Sequence, residues 1–220
     1  MDEHFIIKGG KKLEGEITVG IAKNAALKIL AASILTNKPI KLPKMPKIED
    51  VDRMKELLID LGAKFSGNFI NSSEIKKTDL NYKIADRFRA SIVLTGPILA
   101  KYGKVSFPHP GGCTLGKRPI DFFVDGFNAL GARVKKEGDI FTVTSKKLIG
   151  NKFVFPAVSV TGTENLMMAA ALAQGKTILK NAACEPEIEN LATFLNSLGA
   201  KISGAGTPSI EINGVKELNG

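Results

Sequence analysis

Ile188-Glu189-Asn190-Leu191-Ala192-Thr193-Phe194-Leu195-Asn196-Ser197-Leu198-Gly199-Ala200-Lys201 is one of three versions of the same pattern in this chain. Counted from Ile188, apolar residues fall at 0, +3, +7 and +10, on Ile188, Leu191, Leu195 and Leu198. Val51, Met54, Leu58 and Leu61 keep that frame, and so do Ile120, Phe123, Phe127 and Leu130. The spacing is the buried stripe of an amphipathic helix. One residue into each frame stands an acid, Asp52, Asp121 or Glu189, where it complements the positive helix end. Each frame closes on Leu-Gly-Ala and a cation, ending at Lys64, Arg133 or Lys201. The glycine there tolerates the left-handed conformation that stops a helix. A frame recurring at about 70 residues marks one structural unit used three times.

The flanks repeat as well. After each stop an alternating stretch, a turn and a second strand predict a hairpin, as in Arg133-Val134-Lys135, Glu137-Gly138-Asp139 and Ile140-Phe141-Thr142-Val143. Ahead of each frame lie an apolar helix (Asn24 to Thr36, Ala90 to Lys101, Glu164 to Gln174) and a strand (Lys38 to Leu42, Lys104 to Phe107, Lys176 to Leu179). Helices apolar nearly all round belong in a core. The unit is helix, strand, helix, strand, strand, with one further strand ahead of it. Three units about a pseudo-threefold axis predict an α/β domain with buried central helices and outer sheets. Strands joined through helices predict mixed sheets. The repeats span about residues 21–75, 86–147 and 153–213, within one domain over about 21–220, after an N-terminal segment of about residues 1–20.

At 220 residues, 44% hydrophobic and 24% charged, the chain has the composition of a soluble globular protein. The acidic start, Met1-Asp2-Glu3-His4, does not suit a signal peptide. The apolar run Ala25 to Leu35 is interrupted by Lys28 and is too short for a bilayer. Cys113 and Cys184 make no disulfide framework, and neither they nor His4 and His109 have metal-ligand spacing. A cytoplasmic protein without metal or cofactor is the expectation. The net charge of +9 comes from scattered lysines, with two tyrosines and no tryptophan. A module stacking on single strands needs aromatics among its cations, so we expect a basic surface drawing small anions rather than nucleic acid.

Chemistry concentrates in Pro108-His109-Pro110-Gly111-Gly112-Cys113-Thr114-Leu115-Gly116-Lys117-Arg118-Pro119-Ile120-Asp121. Glycines let backbone approach a ligand, and neighbouring cations lower a thiol's pKa. Cys113 is therefore a candidate nucleophile or proton donor; the alternative is a buried, inert cysteine. Lys117 and Arg118 at the start of the second amphipathic helix suit a phosphate or carboxylate. The first helix of each unit opens on Lys23-Asn24, on Arg87-Phe88-Arg89-Ala90-Ser91, or on Val158-Ser159-Val160-Thr161-Gly162-Thr163. Symmetry sets these openings in equivalent places, where they can converge on one anionic ligand.

Ala22 to Leu27, Arg89 to Ser91, Pro110 to Asp121, Val158 to Gly162 and Glu185 to Ile188 resemble the enolpyruvyl transferase family over the whole chain. The cysteine loop is similar to the branch that acts on a UDP-sugar. The resemblance implies two inside-out α/β barrel (prism) domains of three pseudo-symmetric repeats each, with substrates in the cleft between them. It implies transfer of enolpyruvyl from phosphoenolpyruvate to the 3′-hydroxyl of UDP-N-acetylglucosamine, the first committed step of peptidoglycan synthesis. It assigns Cys113 as the proton donor and adduct-forming thiol. Lys23, Asn24 and Arg118 become phosphoenolpyruvate contacts. Arg89, Arg118, Pro119, Ile120, Asp121, Phe122, Ser159 and Val160 become the UDP-sugar site. The chain departs from the family at Gly20-Ile21, Ala157 and Cys184. Family chains are about twice as long, so a C-terminal domain or partner chain is expected to complete the site. In the family the segment equivalent to residues 1–20 packs in that other domain; here we expect an unpaired strand or disorder. A non-catalytic module binding phospho-ligands or nucleotide-sugars is the alternative.

Overall fold

The computed structural model describes residues 4–109 and 120–220. In chain order the first unit comprises α1 (Lys23–Ala32) with a 3-10 turn (Ser33–Leu35), β1 (Ile40–Lys41), α2 (Glu49–Leu61), β2 (Lys64–Ser66) and β3 (Phe69–Asn71). The second comprises α3 (Tyr82–Ala85), a 3-10 segment (Arg89–Leu94), α4 (Thr95–Tyr102), β4 (Lys104–Pro108), α5 (Asp121–Ala129), β5 (Arg133–Glu137) and β6 (Ile140–Thr144). The third comprises β7 (Lys152–Val154), α6 (Val160–Ala171), β8 (Lys176–Lys180), α7 (Pro186–Ser197), β9 (Lys201–Ser203) and β10 (Ser209–Asn213).

Every residue of the three apolar frames is buried, each side chain worth roughly 1.5–3 kcal/mol of transfer free energy. Gly62, Gly131 and Gly199 carry φ of +118°, +86° and +98°, so the three stops are left-handed as their positions require. In each unit the strand after the central helix pairs antiparallel with the second strand of the hairpin, giving the orders β1-β3-β2, β4-β6-β5 and β8-β10-β9.

The sheets are less uniformly mixed than the sequence predicts. β7 joins β8 in parallel, while in the second sheet only residues 78–80 run beside β4, through Leu80 N–H to Ser106 O (2.8 Å) and Ser106 N–H to Thr78 O (3.0 Å). Among the described residues the first sheet is purely antiparallel. The parallel neighbour comes each time from the segment ahead of the central helix, and residues 4–22 ahead of α1 form no helix or strand. Their apolar side chains, Phe5, Ile7, Leu13, Ile17 and Val19 among them, are exposed.

The central helices are α1, α4 and α6, and from Gly162 to Ala171 every residue of α6 is buried. α4 and α6 cross so closely that a Cβ on Gly96 would lie 2.3 Å from the Asn165 carbonyl oxygen. Two starts differ from the sequence expectation. Ser159 Oγ accepts the Gly162 N–H (3.1 Å), a side-chain cap that begins α6 a turn early, so Thr161 to Thr163 are helix rather than loop. The helix expected from Ala90 is 3-10 to Leu94 and α-helical only from Thr95. That restart puts Pro97, which has no N–H to donate, inside the first turn of α4.

Candidate functional site

The N-terminal ends of the three central segments meet around one cavity of about 480 Å³. α1 brings Lys23 and Asn24, the segment before α4 brings Arg87, Phe88 and Arg89, and α6 brings Val160 and Thr161. Leu27 and Lys28 line it one turn further along α1, and Asp50 of α2 and Glu187 of α7 complete the wall.

Each opening is held by its own contacts. Lys23 Nζ is ion-paired with Asp50, and Asn24 Nδ2 donates to Glu187 Oε1 at 2.9 Å. Arg53 on α2, itself paired with Glu49, donates from Nη1 to the Arg87 carbonyl at 3.1 Å and so ties that segment to the first unit. Thr163 Oγ1 donates to Ser159 O (2.8 Å) and accepts the Ala183 N–H (3.0 Å), fixing the start of α6 to the loop after β8.

The charge is lopsided. Lys23, Lys28, Arg87 and Arg89 face Asp50 and Glu187. α1 begins without a side-chain cap and with no acid in its first turn, so its positive end adds to the cations instead of offsetting them. Cations and a positive helix end at one cavity favour an anionic ligand over a cationic one.

Beside Lys28 lies Glu164, fully buried on α6, with Lys28 Nζ 3.3 Å away. Burial pushes the Glu164 carboxyl up to about 7; Lys28 opposes this, while Glu187 and Glu185 add to it. In the unfolded chain the group has its ordinary value near 4.5. Between those pH values the folded chain binds more protons than the unfolded one, so stability falls as pH rises from about 4.5 to about 7 and is level above. The drop is about 3 kcal/mol. Urea unfolding at pH 5 and pH 8 should show it as a difference between the native chain and Glu164→Gln, in which this component is gone. Equal pH slopes in the two proteins would refute it.

Of the residues singled out in the sequence, Lys23, Asn24, Arg89 and Val160 line this cavity. Ser159 is adjacent, as the cap of α6. Asp121 and Phe122 begin α5 and do not line the cavity, and the Ile120 side chain is in the core. Cys113, Lys117, Arg118 and Pro119 lie outside the described residues. The sequence did not single out Lys28, Asp50, Thr161 or Glu187. Their signals were present but ordinary: a lysine interrupting an apolar run, an acid beside Asp52, and members of two quoted stretches.

The family model described as EPSP synthase (3-phosphoshikimate 1-carboxyvinyltransferase) matches residues 7–220. A UDP-N-acetylglucosamine 1-carboxyvinyltransferase of Coxiella burnetii (strain Dugway 5J108-111) is 44% identical over 224 residues, covering 99% of this chain and 52% of the relative. UDP-N-acetylglucosamine 1-carboxyvinyltransferase 1 of Legionella pneumophila (strain Lens) is 47% identical, covering 98% of this chain and 44% of the relative. The chain thus spans about half the length of the curated relatives it matches. Among solved structures, the enolpyruvyl transferase NikO from Streptomyces tendae superposes with a TM-score of 0.78 at 19% identity, over 94% of this chain and 50% of its own. At that identity the likeness speaks for the fold.

Proposed function

The chain belongs to the EPSP synthase family of enolpyruvyl transferases, and on that premise we propose that it carries the N-terminal half of a site that transfers enolpyruvyl from phosphoenolpyruvate to the 3′-hydroxyl of UDP-N-acetylglucosamine. The cation-lined cavity where three helix openings meet carries this reading, together with the activity in the names of the relatives at 44–47% identity. Such a reaction would be the first committed step of peptidoglycan synthesis and would take place in the cytoplasm.

The chemistry assigns work to the residues present. In the addition step a proton goes to the methylene carbon of phosphoenolpyruvate as the sugar hydroxyl oxygen bonds to the neighbouring carbon and passes its own proton to a base on the C-terminal domain or partner chain. The carbon–oxygen bond to phosphate then breaks, and the methyl carbon formed by the addition gives up a proton. Cys113 is the proposed proton donor. Lys23, Asn24 and Arg118 hold phosphate and carboxylate as charge moves. Arg89, Ser159 and Val160, with the Arg118 to Phe122 run, hold the UDP-sugar. The remaining walls are the work of a C-terminal domain or partner chain.

Calorimetry with UDP-N-acetylglucosamine, paired with a phosphate-release assay, tests the proposal. The 220-residue chain should bind the nucleotide-sugar weakly and show no turnover. Adding the C-terminal half of the Coxiella burnetii relative should tighten binding at least tenfold and start phosphate release. No binding in either arrangement would remove the substrate assignment. A relative-like rate from the chain alone would remove the half-site reading.

A further inference from the structure

We propose that Lys28 is a ligand-facing cation of this cavity, set in place by Glu164, and that it takes an oxygen of the anionic group bound there. The inference rests on the reading of the cavity as an anion site and adds a residue and a balancing partner to it.

The ion pair between these two residues is a poor one by its own geometry. Lys28 and Glu164 are 8% and 0% exposed at the side chain, and Nζ lies 3.3 Å from Oε1. Among the described residues neither carboxylate oxygen has a well-formed hydrogen bond, Lys28 being the one cation in reach of Oε1. Burying two charges is offset only when geometry is close and the remaining donors and acceptors are satisfied. Here they are not. An ammonium has three N–H donors, and Lys28 is among the residues lining the cavity that also holds Lys23, Arg87 and Arg89. A tetrahedral or planar anion reaching Lys28 would complete its donors, and Glu164 behind would still balance its charge.

Glu164 also sets how strongly that donor is engaged. It faces Lys28 on α1 and feels Glu185 and Glu187 at the start of α7, while the Lys23–Asp50 pair, Arg87 and Arg89 stand around the same cavity. With its carboxyl pushed up to about 7, Glu164 is neutral below that pH and leaves Lys28 to the ligand. Above it, the carboxylate competes.

Sulfate is the probe, because its charge is constant over the pH range used. Its affinity for the chain is measured by calorimetry at pH 6 and pH 8, beside that of phosphoenolpyruvate. The native chain should bind sulfate more weakly at pH 8, by several-fold. Glu164→Gln should bind at pH 8 as the native chain does at pH 6. The double variant Lys28→Met with Glu164→Gln, which leaves no buried charge unpaired, should bind about tenfold more weakly than Glu164→Gln at both pH values, the low end of what a hydrogen bond to a charged group contributes. A role in packing alone would move melting temperature without this pattern. Undiminished sulfate binding by the double variant, or no sulfate binding by the native chain, overturns the proposal. If the native chain binds sulfate through Lys28 but binds neither phosphoenolpyruvate nor UDP-N-acetylglucosamine, alone or with the C-terminal half of the relative added, the Lys28 site stands and the enolpyruvyl transfer reading fails.

Discussion

Asn165→Leu is expected to destabilise the domain by about 4 kcal/mol. Asn165 is fully buried on α6, and its Oδ1 accepts both the Gly96 N–H (2.8 Å) and the Thr95 hydroxyl (2.9 Å) of α4. Its Nδ2 donates to Thr161 O at 3.1 Å. Leucine is close in size, so packing changes little and the cost is in the polar groups left behind. Thr95 Oγ1 can keep its bond to Ile92 O (2.7 Å). The Gly96 N–H has no such refuge, because the close helix crossing shuts out water. One stranded N–H and two lost bonds give the figure quoted. For a chain of this size it means a fall in melting temperature of about 10 °C. Asn190→Leu, on the exposed face of α7, is the control and should stay within about 0.5 kcal/mol. Equal melting temperatures for the two variants would show that the α4–α6 clamp is not where stability resides. Thr161 lines the cavity, so the same variant should also loosen the site.

The repeat was legible because its determinants are local. Four apolar positions, a first-turn acid and a glycine stop lie within one helix length, and each has one physical meaning wherever it occurs. The three frames, their stops and their hairpins could therefore be read without any long-range contact. The convergence of Lys23, Arg89 and Val160 was legible at one remove, since symmetry carries a local reading to equivalent places.

What stayed hidden depends on partners far apart in sequence. Asn24 meets Glu187 across 163 residues, and Lys28 meets Glu164 between the first unit and the third. No periodicity marks such a pair. In the sequence Lys28 is merely the charge that breaks an apolar run, and Glu164 an acid at the edge of another. The restart of α4 was hidden for a different reason. Pro97 inside an apolar stretch says that the helical ladder must change nearby, but not on which side. The first sheet shows the limit of symmetry itself: α1 repeats its siblings, yet the segment ahead of it lies exposed where theirs pair with a strand.

Cys113→Ala, in the chain complemented by the C-terminal half of a relative, is expected to lower the rate of phosphate release by 10²–10⁴, the range a positioned general acid contributes. The methylene carbon of an enol phosphate is a weak base, so at neutral pH its protonation needs an acid held in place. An ordinary thiol releases its proton near pH 8.5 and a cation close by makes it a stronger acid, the part the proposal gives to Lys117 and Arg118, four and five residues further on. A thiol so placed combines acid strength with a proton to give at neutral pH. Alanine removes the proton without removing a cation, so affinity for UDP-N-acetylglucosamine should be unchanged while the rate falls. Serine should not rescue it, since an alcohol is far too weak an acid. Cys184, the chain's other cysteine, is exposed on the loop before α7 and does not line the cavity. Cys184→Ala should therefore react at the native rate, and mass spectrometry after incubation with phosphoenolpyruvate should find any adduct on Cys113. A rate that survives in Cys113→Ala, or an adduct found on Cys184 instead, would take the proton donor out of this loop.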